Sequence, residues 1–142
     1  PARRNVSNEV LVSLSAANGM LGFSLYPHHL KNNSECTLID FCAMIYDTAE
    51  IVGINNVGIG SDLCQDQPDS VVKWMREGCW TKSVDFGEGS KSEPGFPKMP
   101  EFYRDNRDFK NIAKGLRSVG MNKEEIEKVV GGNWFKFFSD SF

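Results

Sequence analysis

Two rhythms of apolar residues run along the chain, and the change from one to the other marks out its elements. After Ser7, the positions Val10, Leu11 and Leu14 recur at helical spacing. They predict a helix over residues 8 to 17, capped by Ser7 and stopped at Asn18-Gly19. The next run, MLGFSLY at residues 20 to 26, has little polar interruption, which suits a strand covered on both faces and ended by Tyr26 and Pro27. A polar loop through Lys31 and Asn33 follows. Leu38, Phe41, Cys42, Ile45, Ala49 and Val52 then return to helical spacing until Gly53. NVGIGSD at residues 56 to 62 reads as a second buried strand, so residues 20 to 62 predict a strand, helix, strand unit with a right-handed crossover and parallel strands.

Beyond Leu63 the rhythm is lost. Pro68, Gly78, Gly87, Gly89, Pro94, Gly95, Pro97 and Pro100 punctuate the chain to about residue 107, with one short helix expected at residues 69 to 77. So long a connection, with Trp74, Trp80, Phe86 and Phe96 available to anchor it, reads as an irregular insertion at about 63–107 that covers an active site or a subunit contact. Helices are expected again over about 109–141. Phe109, Ile112, Ala113, Leu116 and Val119 mark the first of them, and Asn122 with Glu125 resembles a capping box for the second. That last helix carries Ile126, Val129, Val130, Trp134, Phe137 and Phe138, broken by Gly131-Gly132, where a neighbour is expected to approach closely.

Two strands cannot close a sheet, and a parallel pair leaves two unpaired edges. The chain therefore reads as an incomplete α/β fold, and its Pro-Ala-Arg-Arg start, without an initiator Met, suits a processed product or a piece of something longer. Composition narrows the function. A formal charge of -3 with scattered Lys and Arg gives no basic field, so nucleic acid is a poor partner. No apolar run is long enough to span a bilayer and no signal peptide is apparent. Cellular address stays open, with a soluble, cytoplasmic protein slightly favoured. Cys36, Cys42, Cys64 and Cys79 lack C-x-x-C spacing and read as free or buried thiols.

In parallel α/β folds, functional groups sit beyond the carboxyl ends of the strands, where Tyr26 and Asp62 fall. Gly58, Gly60 and Ser61 permit close packing while Asp62 is carried to the rim. The plain alternative for Asp62 is a strand-end carboxylate capping a turn. Tyr26 is a candidate substrate hydrogen-bonding group or, equally, a buried tyrosine with a wet hydroxyl. His28 and His29 suggest a metal, but neighbours on an extended segment point opposite ways, which argues against both binding one ion.

Three stretches in order, RRNVSNEVL at 3 to 11, VGIGSD at 57 to 62 and NIAKGLRSVGMNKEEIEKVVGGNWFKFF at 111 to 138, resemble the membrane dipeptidase (renal dipeptidase-like) family of binuclear zinc hydrolases. The resemblance implies that residues 1–142 are the C-terminal portion of a TIM (β/α)8 barrel, with MLGFSLY as strand seven and NVGIGSD as strand eight. It implies that Arg4, in the Arg-Asn pair with Asn5, binds the carboxylate of a dipeptide or small amide substrate. Asp62, by the same resemblance, carries the proton during hydrolysis. The family's zinc ligands, a His-x-Asp, a bridging Glu and two His, all lie upstream, so no metal ligand is expected on this chain. His28 and His29 match none of them.

The family's continuation after Ser-Asp is commonly Phe-Asp-Gly, whereas this chain reads Leu63-Cys64-Gln65, which leaves substrate preference open. The remaining barrel segment or a companion chain is the expected partner, together with self-association into a homo-oligomer. Two other readings stand beside this one. A non-enzymatic barrel fragment would serve as a subunit-interaction module. A nucleotide-binding domain is disfavoured because GIG lacks the rest of a glycine-rich loop leading into a helix.

Overall fold

The computed structural model describes residues 5–63, 66–77 and 96–142. Helix α1 (Asn8–Ala16) opens the described chain. It ends as Asn18-Gly19 predicts: Asn18 takes a left-handed φ of 54°, its N–H donates to Ser15 O, and the Gly19 N–H donates to Leu14 O at 2.9 Å. Its start differs in detail. Ser7 occupies the cap position without a side-chain cap, and its hydroxyl instead serves the Glu9 side chain, holding that carboxyl below its usual range. Val10 is exposed while Leu11 is buried, because one residue along a helix turns the side chain by about 100°.

Strand β1 (Leu21–Ser24) and strand β2 (Val57–Ser61) form a two-stranded parallel sheet, joined by α2 (Leu38–Val52). The α/β class and the parallel pair agree with the sequence. Full cover of β1 does not: Gly22 is exposed, and Leu21 and Phe23 are only half-buried. Leu21, Phe23, Val57 and Ile59 turn to the apolar core that α2 completes, where the Phe23 and Phe41 rings meet edge to face at 6.4 Å. The other face of the pleat carries Gly22 and Gly58, and there a single indole, Trp134, lies against the sheet. β1 also stops short of the expected Tyr26, since Pro27 starts a 3-10 turn, Pro27–His29.

Helix α2 keeps its predicted face. Phe41, Cys42, Ile45, Ala49 and Val52 are buried, Thr37 Oγ1 accepts from Asp40 N at 3.1 Å as an N-cap, and Gly53 at φ 89° ends it. Helix α4 (Phe109–Ser118) crosses α2 at Gly115, where a Cβ would stand 2.6 Å from Cys42 Sγ. Between them in chain order comes α3 (Asp69–Glu77), the short helix expected within the insertion. Trp74 does not anchor that region from here, being exposed. Phe96 is half-buried against Tyr26, while Trp80 and Phe86 lie outside the described residues. Cys36 and Cys42 are free and buried, and burial pushes their thiols up to about 11 and about 12, so both stay protonated. Cys64 and Cys79 lie outside the described residues.

The closing helical region is three pieces: α5 (Lys123–Glu127), a π turn at Lys128–Gly132, and α6 (Asn133–Ser141). The capping box is complete, with Glu125 N donating to Asn122 Oδ1 at 3.1 Å and Asn122 N to Glu125 Oε2 at 2.8 Å. Gly131 acts differently from expectation, whereas a Cβ at Gly132 would stand 3.0 Å from the Glu127 carbonyl oxygen. Nothing stands within 4 Å of a Cβ at Gly131, and Gly131, at φ 170° and ψ -28°, interrupts the helix. The close approach is made by the next two residues, Asn133 and Trp134. Asn133 Nδ2 donates to Ile54 O at 2.7 Å and Val57 O at 2.8 Å. Trp134 Nε1 donates to Ile59 O at 3.1 Å.

Candidate functional site

At the carboxyl ends of the strands the ladder is deliberately uneven. Register runs Leu21 to Val57, Gly22 to Gly58 and Phe23 to Ile59, then slips so that Ser24 faces Ser61 and Gly60 is the extra residue. A Cβ at Gly60 would stand 3.2 Å from the Gly22 backbone, so the slip needs glycine there. The chain then tightens. Asp62 N donates to Gly60 O at 2.6 Å, and Ser61 and Asp62 both take left-handed conformations, φ 44° and 56°. Each such residue costs about 1–3 kcal/mol and persists only where its surroundings fix it, a pattern concentrated at functional sites. Asp tolerates the conformation better than most side chains.

The turn presents an exposed Asp62 carboxylate back toward β1. Ser24 Oγ lies 3.3 Å from Asp62 Oδ2, and the same oxygen lies 3.0 Å from Tyr26 N and 3.0 Å from His29 Nδ1. Tyr26 is buried, its ring flanked by His28 at 5.4 Å, His29 at 5.1 Å and Phe96 at 5.1 Å. Asn5 Nδ2 donates to the His29 carbonyl at 3.2 Å, which ties the segment before α1 to this turn. Asp62, Tyr26 and Asn5 thus lie in one neighbourhood, whereas Arg4 lies outside the described residues.

The two histidines correct one geometric argument. They sit on a 3-10 turn rather than an extended segment, and both rings lie against Tyr26 instead of pointing opposite ways. Even so, among the described residues no three His, Cys, Asp or Glu side chains gather where one ion could be held. The donor set described here does not fit a metal pair by itself. A cleft of about 430 Å³ lies elsewhere, at the N-terminus of α2, lined by Cys36, Thr37, Leu38, Glu101 and Phe102 among others. It includes no member of the strand-end cluster.

Ser24 and His29 are the members that sequence reasoning missed as a pair. Ser24 was visible as the one serine in the apolar run of residues 20 to 26. The fold of His29 back onto it depends on the turn that Pro27 starts, which periodicity does not encode.

A family model described as membrane dipeptidase (peptidase family M19) matches residues 1–79, a stretch that holds the Arg-Asn pair, both strands and Asp62. The chain belongs to this family. The match stops before the closing helices, but the structural likeness extends over them. A crystal structure of an amidohydrolase from Pseudomonas aeruginosa superposes with a TM-score of 0.75 at 27% identity, covering 94% of this chain and 39% of that one. The membrane dipeptidase-like chain thus spans about two fifths of that amidohydrolase. No curated protein matches it. At the level of the family, both likenesses are to hydrolases, a membrane dipeptidase family and an amidohydrolase. No helix among the described residues is long and apolar enough to cross a membrane.

Proposed function

We propose that residues 1–142 are the C-terminal portion of a (β/α)8 barrel, with β1 as its seventh strand and β2 as its eighth, and that the complete protein hydrolyses dipeptides or related small amides. The observation that carries this reading is the placement of Asp62: an exposed carboxylate just past the carboxyl end of a parallel strand, on a strained turn, hydrogen-bonded to the neighbouring strand. In a barrel that is the catalytic face. Zinc is the expected cofactor, a pair whose ligands would come from outside this chain, and bound zinc lowers the pKa of its water to about 7.

The part of Asp62 is then a proton. An ionised carboxylate accepts one from the attacking water and returns it to the departing amine, so the leaving group departs neutral. Arg4 grips the substrate's terminal carboxylate with its guanidinium fork. Asn5 and Tyr26 line the same side, Asn5 through the turn that holds His29 and Tyr26 from the buried rim of β1. The exposed rings of Phe135, Phe138 and Phe142 on and after α6 favour a surface that meets the remaining barrel segment, a companion chain or a second copy.

Steady-state kinetics of the complete, metal-loaded protein on free and C-terminally amidated dipeptides tests the substrate assignment. Arg4→Ala should raise KM for free dipeptides with little change in kcat, since the carboxylate contact exists in ground and transition states alike. Amidated substrates should be nearly indifferent to the change. Equal losses on both would remove Arg4 from the carboxylate site.

A further inference from the structure

Resting on the reading of Asp62 as proton carrier, the same cluster assigns roles to two more side chains. We propose that Ser24 and His29 are positioning residues for Asp62: the Nδ1 proton of His29 turns the Ser24 hydroxyl so that its own proton holds Asp62 Oδ2.

Hydrogen-bond valence fixes the roles. A serine hydroxyl carries one proton and two lone pairs. Three groups surround Ser24 Oγ: the Tyr26 N–H at 3.0 Å, His29 Nδ1 at 3.0 Å and Asp62 Oδ2 at 3.3 Å. The backbone N–H only donates, so it takes one lone pair. An ionised carboxylate only accepts, so it takes the proton. One lone pair is left for His29, whose Nδ1 must then carry hydrogen. A bare Nδ1 is itself an acceptor and would compete with Asp62 for the one proton, weakening the hold on the carboxylate. The neutral Nδ1–H tautomer and the imidazolium both satisfy the arrangement, so it does not depend on the charge of the ring.

The surroundings hold the imidazole where this requires. The His29 N–H donates to Tyr26 O at 2.9 Å within the 3-10 turn, the ring lies 5.1 Å from that of Tyr26, and Asn5 fixes the His29 carbonyl. Among the described residues Asp62 Oδ1 makes no hydrogen bond, so with Oδ2 held the other oxygen is left to take the proton. Ser24 and His29 touch neither substrate nor water in this scheme. They act through Asp62 alone, and that is what separates them from a merely structural pair.

The test combines kinetics of the complete, metal-loaded protein on a dipeptide with nitrogen-15 NMR of its histidines. Ser24→Ala should lower kcat roughly tenfold at unchanged KM, about the worth of one hydrogen bond to a charged group. Ser24→Thr, which keeps the hydroxyl, should recover most of it. His29→Phe keeps a ring against Tyr26 but loses the donor and should lose kcat, whereas His29→Asn can place an amide N–H at the Nδ1 position and should restore part. In an Asp62→Asn background, Ser24→Ala should cost nothing further. The His29 signal of the unmodified protein should report hydrogen on Nδ1. A bare Nδ1 overturns the proposal even if variants fold poorly, and so does a fully active Ser24→Ala beside an inactive Asp62→Asn. A fully active Asp62→Asn overturns both the proposal and the reading beneath it.

Discussion

Strand β2 begins and ends in opposite surroundings. At its base Val57 is wholly buried, and the carbonyls of Ile54, Val57 and Ile59 are taken by side-chain donors from α6. At its tip Ser61 and Asp62 are strained and polar, and the carboxylate is exposed. Within six residues the chain thus passes from a buried segment with its carbonyls paired to an exposed carboxylate. On the proposed reading, stability belongs to the base and chemistry to the tip, the division a parallel barrel makes between its two faces. Breaking the base should unfold without a specific kinetic signature, and breaking the tip should silence without unfolding.

The largest stability loss is expected at Asn133. Asn133→Leu keeps bulk but strips two carbonyls of their partner, and each buried group left unmade costs about 1–3 kcal/mol. Denaturant unfolding of the complete protein should show the midpoint fall. Gly58→Ala comes next. Its Cβ would stand 2.5 Å from Trp134 Nε1 and 2.8 Å from Cδ1, so the indole must shift, at the roughly 1–3 kcal/mol typical of overpacking. A combined Gly58→Ala, Trp134→Phe variant should recover part of that, because the clash and its partner are removed together. Asn122→Ala, which deletes the capping box, should cost about 1 kcal/mol by the same measurement.

Acid should have the smallest effect. Arg107 holds the Asp105 carboxyl at about 2, down from its ordinary 3.8, and hydrogen bonds from Arg104 to Asp108 and from Lys31 to Asp40 lower those carboxyls too. A depressed folded-state pKa contributes stability that is complete above the unfolded value and lost as pH falls through the folded one. The melting temperature should therefore slip gently between about pH 4 and pH 2, and Asp105→Asn should remove part of that slope. These groups are exposed, and added salt should reduce the effect further.

The base of β2 and its neighbours were largely legible in the sequence. The face of α2, its stop at Gly53, the Asn18-Gly19 end of α1, the helix over 69–77 and the Asn122–Glu125 box all follow from side-chain spacing and local backbone preference, which act within a few residues. The tip was legible only in part. Asp62 could be placed at a strand end, but its reach back to Ser24 depends on the slip at Gly60 and two successive left-handed residues. Asn133 was hidden for a related reason. An asparagine after two glycines reads as a helix start, and only the tertiary fold brings it to carbonyls 76 and 79 residues away. Trp74 erred the other way, since a large ring suggests an anchor and this one is exposed.

Asp62 is proposed to act at the tip without holding up the base, and one comparison reads both. For Asp62→Asn in the complete protein, with metal content first matched to the unmodified enzyme, kcat on a dipeptide should fall by roughly 10² or more while the unfolding midpoint stays put. Full activity in that variant would contradict the account, as would a loss of activity matched by a loss of fold.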